Sequence, residues 1–263
     1  MKPIMLFRQD RETYDEIKIA KKYFDVYERR NMIPDNSLVI GRYSLLPYYK
    51  ELEDDLKDKT CKLLDTYSQF NWVANFEYYN DLQKYTFKTW FSPSEIPKDS
   101  GPLVVKGTTN SKKMYWSNKM FAKNREIAID IACELRSDNL IGQQDIIFRQ
   151  YEPLVTYEIG LNGLPFTNEW RLFYYKGKLL SKGYYWSTAD EPERGKITDD
   201  ALKMSQEIAD IAKEHCNFYV LDIAEKQSGG WVLVEINYGG QSGLSLNDPD
   251  IMYENLAKEL NIT

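Results

Sequence analysis

Short apolar runs and helical stripes alternate along the whole chain. PIMLF (3–7) and SLVIG (37–41) have the apolar, β-branched character of buried strands, and between them ETYDEIKIAKKYFDVY carries Ile17, Ala20, Phe24 and Val26 near helical spacing. The charged run ELEDDLKDK (51–59) reads as a solvated helix face or an exposed turn. Aromatic residues crowd 67–91, a tract better suited to core or interdomain packing than to a stacking surface, and FSPSEIPKDSGP (91–102) has the Pro, Ser and Gly of a linker between two halves. Beyond it, LVVK (103–106) predicts a strand and GTTNSKKMYW a loop. Ser117 is placed to cap a helix with Phe121, Ile127, Ala128, Ile131, Ala132 and Leu135 on one side, and DIIFRQY (145–151) predicts the next strand. WRLFYY and KLLSKGYYW flank Lys176-Gly177 as a two-residue hairpin. Thr198 opens a helix with Ala201, Met204, Ile208, Ile211 and Ala212 on its apolar side; NFYVLDIA (217–224) and WVLVEIN (231–237) form a second hairpin, and Asp248-Pro249 starts a closing helix.

Composition narrows the classes. With 263 residues, 43% hydrophobic and 14% aromatic, the chain can build a large core. No window approaches the ~20 apolar residues of a membrane span, and the start is too charged for a signal peptide, so the expectation is a cytoplasmic protein with no membrane partner. Cys61, Cys133 and Cys216 are too scattered for a disulfide framework or a zinc site and are expected to be packing residues. One histidine, His215, leaves no room for a multi-histidine metal site, and allows Ser/His or Cys/His catalysis only if that one residue serves. A net charge of -6 argues against a nucleic-acid partner held by broad electrostatics.

Candidate chemistry appears where polar residues interrupt strands. Along WVLVEIN, alternation puts Trp231, Leu233, Glu235 and Asn237 on one face. With QSGG (227–230) as the hairpin loop, Asp222 lies across from Glu235, and like charges so placed are destabilising unless something positive sits between them. Asp222, Glu235 and Asn237 offer only oxygens of the hard kind that suit magnesium or manganese; ion pairing with lysines such as Lys226 is the competing account. The same treatment of the first hairpin sets Arg171 across from Lys182, two cations that a polyphosphate would satisfy. Lys106 ends a strand and leads through Gly107 into a loop holding Lys112 and Lys113, one that can close over phosphates although it is not a Walker A motif.

In chain order, VVKG with its loop, IIFRQYE, EWRLFYYKGKLL and LDIAEKQSGGWVLVEINYGGQSGL resemble the ATP-grasp superfamily, with the RimK-like amino-acid ligases and small bacterial or phage ATP-grasp proteins as the nearest likeness, over roughly residues 100–245. The resemblance implies an α+β ATP-grasp fold in which two α+β subdomains clasp ATP. A small α/β domain (1–95) precedes the ATP-grasp domain (96–263), itself divided into a small lobe (about 101–151) and a large lobe (152–263). It implies that Lys106 reaches the adenine side and α-phosphate, and that Arg149, Gln150 and Tyr151 form the adenine hinge. Glu152 or Glu158 would hold the ribose, Arg171 with Lys182 would steady the transferred phosphoryl group, and Asp222, Glu235 and Asn237 would bind Mg2+, with Mn2+ as an alternative. The implied reaction is ATP-dependent, ADP-forming ligation of a small-molecule or peptide carboxylate to an amine acceptor through an acyl phosphate. A phosphotransferase, a nucleotide-binding sensor without turnover and a nucleic-acid-joining enzyme are the rival readings. Two departures stand out: the loop after Lys106 is not rich in Gly and Ser, and the stretch 153–168 is long.

Overall fold

The computed structural model describes residues 1–8, 14–192 and 195–262. Its first unit runs β1 (Lys2–Phe7), α1 (Tyr14–Ala20), β2 (Asp25–Tyr27), β3 (Ser37–Arg42), α2 (Tyr49–Lys57), β4 (Lys62–Leu63), α3 (Tyr67–Ala74) and α4 (Tyr79–Leu82). The strands form a parallel sheet in the order β2-β1-β3-β4, which accounts for their continuous apolar character. Glu12 and Thr13, where the first predicted helix begins, lie outside the described residues. The charged run 51–59 is mostly the solvated face of α2, whose Leu52 and Leu56 are buried. Phe70, Trp72, Phe76 and Tyr78 of the aromatic tract are core residues, as expected.

The small lobe contains β5 (Thr89–Trp90), β6 (Leu103–Gly107), α5 (Trp116–Lys119), β7 (Phe121–Ala122), α6 (Arg125–Arg136) and β8 (Ile146–Gln150). Its sheet is antiparallel in the order β5-β8-β6-β7, with α6 on one face through Ala128, Ile131, Ala132 and Leu135. Two expectations change here. Because Thr89 and Trp90 pair with Arg149 and Phe148, the stretch 91–102 connects strands of one sheet and is no interdomain linker. The long helix is capped by Asn124, whose Oδ1 accepts from Ile127 N at 3.0 Å, because Phe121 and Ala122 are drawn into pairing with Val104 and Leu103 before it can start. Ser117 instead sits in α5.

The large lobe comprises β9 (Thr156–Ile159), β10 (Pro165–Thr167), β11 (Glu169–Tyr175), β12 (Lys178–Tyr184), α7 (Asp199–Ala212), β13 (Phe218–Glu225), β14 (Trp231–Tyr238) and α8 (Pro249–Glu259). Thr198 and Asp248 cap α7 and α8 as predicted. The antiparallel sheet β12-β11-β13-β14 carries α7 against Leu172, Tyr174 and Leu221, and α8 against Phe173, Phe218 and Val220. Ile4 and Leu6 join the first of these cores, and Met5, Phe7 and Ile40 the second, so the first unit is packed into the large lobe on both sides. Cys61 and Cys216 are buried, whereas Cys133 is exposed. His215 stacks on Trp72 with ring centroids 4.7 Å apart. Among the described residues no helix is long and apolar enough to cross a membrane.

Candidate active site

Two β-bulges decide which side chains reach the cleft. In the second hairpin the register shifts between Asp222 and Ile223, so Asp222 pairs with Glu235 while Ile223 pairs with Leu233. A bulge inserts one residue and reverses the alternation beyond it. Leu233 therefore turns into the apolar core, and the expectation that it shares a face with Glu235 is corrected. In the first hairpin the shift lies between Phe173 and Tyr174, which sets Arg171 across from Gly183 and moves Lys182 opposite Leu172. Lys182 is exposed on the other face from Arg171, so the predicted pair of cations does not form.

The positive charge that Asp222 and Glu235 require comes from elsewhere. Arg171 donates to Asp222 through Nε at 2.8 Å and Nη2 at 2.7 Å, a bidentate pair buried in the sheet. Lys106, from the small lobe, forms a buried ion pair with Glu235 of β14. Burial alone would raise Glu235, but Lys106 and Lys113 outweigh it and hold the carboxyl well below its ordinary value. Lys226, the alternative partner, lies 3.9 Å from Glu152 instead. Asn237 Nδ2 donates to Asp222 Oδ2 at 3.2 Å. Two carboxylates and an amide oxygen on one sheet face are the kind of donor set a hard divalent cation takes; Glu235 and Asn237 line the second cavity, while both Asp222 oxygens are engaged by Arg171 and Asn237. Among the described residues no group of three or more His, Cys, Asp or Glu is placed to hold a metal, so any ion here would rely on the asparagine and on oxygens of its ligand.

Of these residues Lys106, Lys113, Glu152, Arg171, Glu235 and Asn237 border two adjoining cavities, whereas Asp222 is fully buried against Arg171 and lines neither. The first lies between the lobes; Val104, Met120, Leu154, Leu164 and Trp186 give it apolar walls, and Lys106, Lys113, Glu169 and Glu235 a charged end. The second is bounded by the loop after β6, by Arg171, Asn237 and the segment 241–243, and by Ser44 and Leu46 of the first unit. Ser111, Lys113 and Glu235 line both.

Within the first cavity Arg149 is buried, donating to Thr86 Oγ1 at 2.7 Å and to Val234 O, with its guanidinium 5.0 Å from the Phe87 ring. Burial holds it below its ordinary value. The predicted hinge is partly spent inside the fold: Gln150 N donates to Lys88 O and Tyr151 N to Pro102 O. Both side chains line the cavity, as does Glu152, which accepts from Ser228 Oγ at 3.1 Å. Glu158 does not reach it. That carboxylate accepts from Asp190 N at 3.0 Å in a separate depression beside Tyr157 and Tyr184.

Glu169 was not singled out by sequence, and Lys113 was named only as part of the loop after Lys106. Glu169 lies two positions before Arg171, on the same face of β11, and is buried with Oε1 lacking any partner. Burial, reinforced by Asp222 and Glu235 and opposed by Lys113, pushes its carboxyl up to about 7. Lys113 donates to Tyr185 OH and sits 4.3 Å from that ring's centroid. Burial would lower Lys113, but Tyr185, Glu235 and Glu169 hold it above its ordinary value. The signal for Glu169 was present in EWR, whose alternate residues must share a face.

A family model described as ATP-grasp domain, R2K clade family 3, matches residues 95–256. No curated protein has a matching sequence. The chain is similar in structure to D-cycloserine synthetase DcsG, with a TM-score of 0.62 and 11% identity over 98% of this chain and 99% of that one. It is similar to ATP-grasp ligase PsnB complexed with minimal precursor, Mg and ADP, with a TM-score of 0.60 and 6% identity over 98% of each chain. A RimK domain protein ATP-grasp from Sphaerobacter thermophilus DSM 20745 gives a TM-score of 0.58 and 12% identity over 96% of this chain and 98% of that one. At such identities the likeness is one of fold.

Proposed function

The chain belongs to the ATP-grasp domain family, R2K clade family 3, with the ATP-grasp fold, and from that premise we propose that it is an ADP-forming carboxylate-amine ligase. The observation that carries this reading is the junction of the two cavities at Ser111, Lys113 and Glu235. A nucleotide with its base among the apolar walls of the first cavity would direct its phosphates to the charged end, where a second substrate has its own way in. The open second cavity admits a small-molecule or a peptide carboxylate, and the peptide case gains support from the precursor peptide bound to PsnB.

On this reading the substrate carboxylate attacks the γ-phosphorus, the bond to the bridging oxygen breaks, and ADP leaves. The amine then attacks the acyl carbon, losing a proton as phosphate departs. The work of the protein is positional and electrostatic, so no protein nucleophile is needed. Arg171 and Lys113 face the transferred group, and Lys106 moves from Glu235 to the phosphates. Glu169, in place of Glu158, takes the ribose hydroxyls, and the hinge contact falls to the backbone after Tyr151. Asp222, Glu235 and Asn237 would hold magnesium, whose charge would offset that of the phosphates. Lys182 has no part.

The test is incubation with Mg-ATP, an amino-acid and peptide pool, and hydroxylamine. An acyl hydroxamate formed with ADP supports ligation. Phosphate that stays on the second substrate would replace this reading by phosphotransfer.

A further inference from the structure

Arg42, at the end of β3 and outside the segment that matches the family model, is buried against the loop that follows the strand of Glu235 and Asn237. Its Nη1 donates to three carbonyls of that loop, Gly239 O (3.2 Å), Gly240 O (3.3 Å) and Ser242 O (2.5 Å). Its Nε donates to Glu16 Oε1 at 2.8 Å and to Tyr253 OH at 3.2 Å, so α1 and α8 fix the guanidinium from the other side. The loop is pressed onto the first unit as well: a Cβ at Gly240 would lie 2.1 Å from Gly41 O. Three residues beyond Gly240, Gly243 O accepts from Arg171 Nη1 at 2.8 Å. Gln241, Ser242 and Gly243 form one wall of the second cavity, and Ser44 and Leu46, just beyond Arg42, form another.

We infer that Arg42 is a positioning residue for the reaction, holding the 239–243 loop so that Gly243 O sets the Arg171 guanidinium and the loop shapes the second-substrate cavity. The inference rests on the proposed role of Arg171. Three carbonyls pointing at one place repel each other unless a cation faces them; Nη1 of the guanidinium turns its two N–H groups to all three while Nε of the same rigid plane serves Glu16 and Tyr253. Lysine keeps the charge and cannot reach both sets of acceptors. The first unit would thereby form part of the reaction site, and a change there would act on the transferred group without touching the nucleotide cavity.

Binding of Mg-ADP, alone and with aluminium fluoride as a mimic of the transferred phosphoryl group, separates the possibilities without knowledge of the second substrate. In Arg42→Lys we expect Mg-ADP affinity within about threefold of the parent, because the nucleotide cavity is untouched. The tightening produced by aluminium fluoride should fall at least tenfold, and amide exchange should speed up at 239–243. An undiminished tightening would overturn the inference, as would a proportional loss of Mg-ADP affinity, which marks Arg42 as a purely structural tie. If Arg42→Lys does not fold, Glu16→Gln loosens only the Nε side; the same pattern with a tightening reduced about threefold upholds the inference, and parent behaviour overturns it. A parent that binds Mg-ADP but shows no tightening with aluminium fluoride would overturn the phosphoryl-transfer reading itself, a distinct result.

Discussion

Glu169 shows what a single buried carboxyl does to this site. Its carboxyl is pushed up from 4.5 to about 7 in the folded chain, so the stability it contributes is fully present below pH 4.5 and is lost as the pH rises through 7. Between pH 5 and 8 that amounts to at most about 3 kcal/mol. Glu169→Gln should therefore raise the melting temperature at pH 8 and much less at pH 5, while weakening nucleotide binding if the carboxylate receives the ribose; equal shifts at both pH values would contradict the assignment. Arg171 could be picked out from EWRLFYY, but Lys182 was wrongly drawn in beside it, because the bulge beside Phe173 leaves no mark in the sequence. Arg171→Lys should lower kcat about 100-fold or more with little change in ATP affinity, since one ammonium cannot replace a planar fork. Lys182→Ala should leave kcat unchanged, and steady-state rates of the two variants check both.

At the scale of elements, hairpins and caps were largely readable and the irregularities were not. Asp222 does face Glu235, but through a five-residue turn (226–230) and a compensating bulge rather than the regular four-residue hairpin that the spacing suggested. Thr198 and Asp248 announced their helices because each stands directly before the first helical turn. Ser117 misled because the two-residue strand β7, defined only by its long-range partner β6, intervenes. One element offers a direct check. Gly183 of β12 lies under the segment leading to α8, and a Cβ there would fall 2.3 Å from Asn247 N and from Leu246 C. Backbone cannot give way as a side-chain tip can, so Gly183→Ala should cost about 2 to 3 kcal/mol, or roughly 5 to 10 °C in a thermal melt. It should also disturb Arg171, the partner of Gly183 across β11 and β12.

For the whole molecule, the ATP-grasp fold was readable from the order of VVKG, IIFRQYE, EWR and LDIA…VEIN, whereas the way the first unit joins the reaction site was not. Nothing local in SLVIGR says that Arg42 will meet a loop 200 residues away. The same holds for Lys106 and Glu235, whose pairing spans the two lobes and exists only once both are folded. That ion pair yields the decisive expectation. Glu235→Gln leaves Lys106 buried without its counter-charge, so the ligand-free protein should lose about 3 kcal/mol or more. In the parent, Mg-ATP at 100 times its dissociation constant should add ~2.7 kcal/mol, about 5 to 10 °C in melting temperature. Melting parent and Glu235→Gln with and without Mg-ATP therefore tests the site as a whole: the account predicts a lower ligand-free melting temperature for the variant and the loss of most of the Mg-ATP shift, and a variant that keeps the full shift, or a parent that shows none, would contradict it.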